Sequence, residues 1–119
     1  MLVFIGGGIG SIARYFVTMM VKNFTNINFP FGTLTVNVIG SFLMGIVTAL
    51  IANKITANSE SIRLLLAVGF LGGFTTFSSF SIENFTLIEK NEIFYAIANV
   101  VTNVTLGLLA AYFGFKLIK

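Results

Sequence analysis

The sequence predicts an all-α integral membrane protein with four transmembrane helices per subunit, the third of them broken, and three observations predict it. Only 9% of the 119 residues are charged, against about 25% in soluble domains, while 56% are hydrophobic. Cutting the chain at its ionisable side chains leaves three long uncharged stretches: Asn23 to Asn53 (31 residues), Leu64 to Ile82 (19) and Ile93 to Phe115 (23). A fourth apolar stretch, Leu2 to Val21, carries Arg14 alone. Crossing a bilayer as a helix takes about 20 apolar residues, so four spans use about two thirds of the chain and leave little for a soluble domain. Residues 1–119 read as a single domain, since no fixed-period repeat or low-complexity tract divides them.

The first helix is expected over about 2–21. A signal peptide would need a basic start and a small-residue cleavage site; here four glycines (Gly6, Gly7, Gly8, Gly10) interrupt the apolar run instead, so the segment is expected to be retained. The polar stretch Lys22 to Pro30 follows, and its proline is placed to end a loop before a second helix, about 32–52, starting at Gly32 or Thr33. Asn53 to Glu60 forms the next connection, with Ser59 and Glu60 positioned to cap a third helix over 63–82. Glu83 to Glu92 holds three of the four acids and reads as the last connection, before a fourth helix over 93–116.

Orientation follows from Lys and Arg near the helix ends. With the N-terminus inside, Lys54, Arg63, Lys116 and Lys119 lie inside and Lys22 and Lys90 outside, four against two. Counting alone gives a modest preference for both termini inside. So shallow a bias also allows insertion both ways and an antiparallel dimer.

The missing residues exclude whole classes of function. There is no His, Cys, Asp or Trp, which removes thiolate and imidazole nucleophiles, zinc sites and paired aspartates, and argues against an enzyme. The net charge of +3 is scattered and forms no basic run that would track a nucleic-acid backbone.

Polar side chains inside a span are costly unless they meet each other, water or a substrate. The second span places Thr33, Asn37 and Ser41 four residues apart on one face, and the fourth does the same with Tyr95, Asn99 and Asn103. Two matching stripes on different helices suit either a transport pathway or interhelical hydrogen-bond glue. The third span reads Gly69-Phe70-Leu71-Gly72-Gly73-Phe74-Thr75-Thr76-Phe77-Ser78-Ser79-Phe80-Ser81. Its glycine pair costs roughly 2 kcal/mol in a helix relative to alanine, and five hydroxyl residues follow. A mid-span break is the natural inference; its freed carbonyls would make cation ligands inside the protein. The competing reading is close helix packing through Gly69/Gly73 and Gly72/Thr76.

Phe77 and Phe80 lie one turn apart on similar faces, where ring edges would present positive potential to an anion; with fourteen phenylalanines, packing is the other reading. Arg14 sits about 18 Å along the first helix, as an interfacial anchor or as the positive wall of an anion vestibule. Glu83 closes the third span as a solvated helix end or a gate. These residues lead to a small oligomeric membrane pore or transporter. Four thin helices enclose no conduit alone, so the pathway is expected to be shared between subunits.

Three segments carry a resemblance. Gly7 to Tyr15, Phe31 to Phe42 and Gly69 to Glu83, in this order and spacing, resemble the Fluc (CrcB) fluoride channels over the whole chain. The resemblance implies a plasma-membrane, multi-pass protein acting as an antiparallel, dual-topology dimer with two fluoride pores, paired with a second copy or an oppositely oriented homologue. It implies a structural sodium ion at the centre, held here by the backbone carbonyls of Gly72 and Thr75. The family's pore phenylalanines fall on Phe77 and Phe80, the adjacent hydroxyls on Ser78 and Ser79, and the second-helix asparagine on Asn37. Glu83 matches the vestibule glutamate and Arg14 the first-helix arginine. Tyr95, Asn99 and Asn103 match the fourth-helix polar track, with a serine commoner where Asn103 stands.

The implied mechanism is passive fluoride efflux. Fluoride is small and strongly hydrated, so a selective path must replace its water with amide and hydroxyl donors and ring edges in a passage too narrow for chloride. Two rivals remain. A small proton-coupled multidrug exporter needs an acid in the first helix, where this chain has Arg14, and a non-transporting membrane assembly protein needs only packing glycines and polar glue.

Overall fold

The computed structural model describes residues 1–118; Lys119, one of the charges in the orientation count, lies outside the described residues. Helix α1 spans Leu2–Phe24 and α2 spans Phe31–Ala52. A third helical segment, α3 (59–74), starts as Ser59–Ile62, widens into π-helix over Arg63–Leu71 and closes with Gly72–Phe74. After an extended pair, Thr75 and Thr76, α4 (Phe77–Glu89) continues to a short turn, and α5 (Ile93–Ile118) completes the chain. Among the described residues, four helical stretches, with α3 and α4 together as the third, are long and apolar enough to cross a membrane. At 1.5 Å per residue, the 26 residues of α5 reach about 39 Å, more than the hydrocarbon thickness of about 30 Å.

The third helix is broken, and the break falls at Thr75–Thr76, past the glycine pair. Gly72 keeps right-handed helical angles (φ −62°, ψ −38°), whereas Thr75 (ψ 159°) and Thr76 (φ −150°, ψ 122°) are extended. Gly73 serves close packing, since a Cβ there would sit 2.5 Å from the Gly7 carbonyl oxygen and 3.0 Å from Ser11 Oγ, whereas Gly72 is exposed. Thr76 then caps α4, its hydroxyl accepting the Ser79 N–H at 3.1 Å.

Three expected boundaries move. Helix α4 runs on through Glu83 to Glu89, because nothing in Glu83-Asn84-Phe85-Thr86 breaks a helix and a lone acid does not stop one. Ser59 and Glu60 do not cap α3: Asn58 holds the N-cap position without a side-chain bond, and Glu60 pairs with Arg63 at 2.8 Å on the surface. Pro30 occupies the N-cap of α2, one residue nearer the helix than expected.

Helix α1 lies against α3, and α2 against α5. Both contacts are backbone to backbone. A Cβ at Gly10 would overlap the Phe70 carbonyl oxygen, and one at Gly114 would overlap that of Phe42, whereas Gly8 faces open space. Val36, Val47, Leu71 and Phe74 fill the interior, with the Phe70 and Phe74 rings stacked at 5.7 Å. Outside, large apolar side chains such as Phe4, Ile12, Phe16 and Leu108 stand exposed, as a lipid-facing surface requires. In α1 and α5 only 11% of the span is buried within the chain.

The packing makes a sharp prediction. Gly10→Ala forces α1 away from α3 and is expected to lower the detergent melting temperature by several degrees, while Gly8→Ala leaves it unchanged or slightly raised. Equal melting of the two variants by circular dichroism would disprove this account of the contact.

Candidate functional site

The break is where the polar residues converge. An extended Thr76 cannot pair its N–H with the Gly72 carbonyl four residues back, so its backbone groups need partners from elsewhere. Asn37 of α2 supplies both: its Oδ1 accepts the Thr76 N–H at 2.9 Å and its Nδ2 donates to the Thr76 carbonyl at 3.1 Å. The second Nδ2 hydrogen goes to Asn103 Oδ1 of α5 at 3.0 Å, and Asn103 in turn donates to Asn99 Oδ1 at 2.8 Å. One asparagine side chain therefore holds α2, the break and α5 together.

Two cavities meet at this point. The larger, about 840 Å³, is lined by Arg14, Lys22, Thr33, Ser79, Glu83 and Lys90 among others, and by Thr76. The smaller, about 360 Å³, is lined by Asn37, Ser41, Thr75, Phe77, Phe80 and Asn103, and again by Thr76. Thr76 thus forms part of both walls. It is buried, and its hydroxyl lies 3.0 Å from Ser79 Oγ and 3.4 Å from Ser78 Oγ.

The charge around the larger cavity is mixed, with three cationic side chains facing one carboxylate. Glu83 Oε1 accepts from the buried Thr33 hydroxyl at 2.7 Å, while Oε2 is buried without a hydrogen-bond partner among the described residues. Arg14 is half-buried, lines this cavity and turns Nη1 toward the Thr75 carbonyl at 3.5 Å. The Phe77 and Phe80 rings are 5.5 Å apart and inclined at 43°; Phe77 is 78% exposed, so it points out of the single chain. Ser78 is also exposed.

Of the residues singled out from the sequence, Asn37, Phe77, Phe80 and Asn103 share the smaller cavity, and Arg14, Thr33, Ser79 and Glu83 the larger. Asn99 is fully buried behind them. Tyr95 stands apart. Its ring meets Phe29 at 6.1 Å, beside a clasp in which Asn28 Nδ2 donates to Glu92 Oε1 at 3.1 Å, so it helps seat the loop between α1 and α2.

Two residues of the site carry no functional role in the sequence reading: Thr76, named there only as a packing partner of Gly72, and Asn84. Thr76 was hidden in a run of hydroxyls, although its spacing to Ser79 is that of a capping threonine. The sequence alone places Asn84 in a connection. It lies on α4 and its Oδ1 accepts from Asn99 Nδ2 at 3.2 Å; the signal was its spacing of four from Phe80 on the same helix face.

For a cation, Gly72 and Thr75 offer hard oxygen donors of the right chemistry. The Gly72 carbonyl has lost its Thr76 partner to Asn37, and Gly72 is exposed on the outer face of α3. No three His, Cys, Asp or Glu side chains cluster among the described residues, so carbonyls and hydroxyls are the donors available here.

Comparison with known proteins shows the family. The chain is 46% identical over 114 residues to a protein of Coxiella burnetii (strain CbuK_Q154) named fluoride-specific ion channel FluC, covering 96% of this chain and 92% of that one. Proteins of the same name from Gloeothece citriformis (48% over 120 residues, 100% and 95% covered) and Vibrio vulnificus (44% over 115 residues, 97% and 90%) are similarly close. The family model described as CrcB-like protein, Camphor Resistance (CrcB), matches residues 1–115. With matches of this extent and four helices fit to span a membrane, the chain is a multi-pass membrane protein that belongs to the CrcB family.

Proposed function

We propose that this chain is one subunit of a fluoride-selective channel that releases fluoride passively from the cytoplasm. The observation that carries the reading is the position of Thr76, shared by a vestibule with three cationic side chains and an inner cavity edged by two phenylalanines. An anion drawn to the vestibule by Arg14, Lys22 and Lys90 passes the hydroxyls of Thr76, Ser78 and Ser79, and then the ring edges of Phe77 and Phe80. Each step exchanges a water for a donor already in place, and the narrow passage excludes the larger chloride. Relatives 44–48% identical over at least 90% of their own length are named for this activity.

The channel works as an antiparallel pair. Phe77, Ser78 and Gly72 are exposed on the single chain, where a pore residue or an ion ligand would otherwise face lipid. A second copy in inverted orientation encloses these residues and yields two equivalent pathways. Its Gly72 and Thr75 carbonyls, with those of the first chain, would hold a sodium ion, which would supply positive charge between two broken helices. Arg14 and Glu83 set the vestibule potential, Asn99 and Asn103 support the inner wall, and Tyr95 holds the loop residue Phe29 at the edge of the vestibule.

Fluoride-electrode recording of efflux from liposomes, with chloride as competitor, tests this. The purified chain alone is expected to give fast, fluoride-selective release, slowed when sodium is replaced by a large organic cation. Release of chloride at a comparable rate, or no release even with an oppositely oriented homologue, would overturn the reading.

A further inference from the structure

Asn84 belongs to none of the three resembling motifs' pore positions, yet it ends a row of four carboxamides. Thr76 sets the direction of that row. Its backbone N–H requires the Asn37 oxygen and its carbonyl requires the Asn37 NH2, so a flipped amide would set donor against donor. Asn37 then has one N–H left, which goes to Asn103 Oδ1. Asn103 must turn its NH2 to the Asn99 oxygens, at 2.9 Å to the carbonyl and 2.8 Å to Oδ1. Asn99, its Oδ1 taken, turns its NH2 to Asn84 Oδ1 at 3.2 Å. Because Asn99 is wholly buried, water does not replace that last acceptor.

We propose that Asn84 is a positioning residue of the anion path, an inference that rests on the channel reading above. It acts through Asn99 on Asn103, whose amide lines the same cavity as the rings of Phe77 and Phe80. Phe77, Phe80 and Asn84 follow one another at three and four residues on α4, so one helix face carries both the rings and the oxygen that anchors the amides opposite. Any shift of α4 moves rings and amides together. Without the Asn84 oxygen, the buried Asn99 NH2 must turn elsewhere and carries its Oδ1 away from Asn103, which keeps the direction set by Asn37 but loses one of the two oxygens that hold its NH2, so the anion meets a wall whose dipoles are less firmly set in advance.

The test compares fluoride efflux and detergent melting for wild type, Asn84→Leu, Asn99→Leu and the double variant. Asn84→Leu is expected to slow efflux about tenfold, the lower range for loss of an outer positioning contact. The double variant is expected to be no slower than Asn99→Leu, since both changes act through one contact. In Asn84→Leu the side-chain amide resonances of Asn103 should broaden or double. Wild-type efflux with only a lowered melting temperature would make Asn84 interhelical glue and overturn the proposal. Should Asn84→Leu fail to fold, the double variant, which removes donor and acceptor together, carries the comparison, and wild-type efflux from it overturns the proposal equally. A wild-type chain that passes no fluoride brings down the channel reading, and this inference with it.

Discussion

Phe80→Ile is expected to reduce fluoride efflux from liposomes to the protein-free baseline, with chloride efflux at baseline as before. The change keeps an apolar side chain of nearly the same bulk in the 360 Å³ cavity and removes the ring, whose positive edge is the feature an anion can use. Phe80 is half-buried and packs on Phe77 at 5.5 Å, so a volume-conserving exchange costs less than about 1.5 kcal/mol and the protein should still purify and melt normally. Phe77→Ile should behave alike, with an even smaller effect on melting of the isolated chain because its ring is 78% exposed. Undiminished flux from either variant would remove the rings from the mechanism.

Asn37→Ala is expected to abolish efflux too, and to differ by destabilising the protein. Three hydrogen bonds disappear together: two to the Thr76 backbone and one to Asn103 Oδ1. Each polar group left orphaned in a low-dielectric interior costs about 1–3 kcal/mol, and the Thr76 N–H has no helical partner to return to unless the break closes. Lost flux with lowered melting is therefore the expected signature, against lost flux with normal melting for Phe80→Ile. Normal melting of Asn37→Ala would mean that the break holds itself extended without the amide.

How much of this was legible in the sequence depends on the range of the interaction. The four spans follow from composition and from the spacing of charges, which are local properties, and their helices lie within a few residues of the expected bounds except where α4 outruns its first acid. The polar faces were legible as well. Thr33, Asn37 and Ser41 share a helix face whatever the helix packs against, because the backbone repeat places them there.

Which faces meet was not legible. Nothing in the periodicity of α2 says that Asn37 reaches Thr76, 39 residues away, and Asn103, 66 residues away. The place of the break shows the limit most clearly. Propensity points to Gly72 and Gly73, and by themselves those residues would weaken the helix first. Packing overrules it: the missing Cβ of Gly73 is used for contact with α1, and the Asn37 oxygen takes the N–H that would have kept Thr76 in the helix. Asn84 is a similar case, read as part of a connection until α5 supplied the amide that gives it a partner. Composition and helical periodicity alone specify a four-span membrane protein with polar stripes and glycine-rich helix faces. Where the third helix opens, and which amides hold it open, is set by packing in three dimensions, because a side-chain acceptor from another helix, the Asn37 oxygen, competes with the backbone carbonyl for the Thr76 N–H, and that competition is settled by position in space.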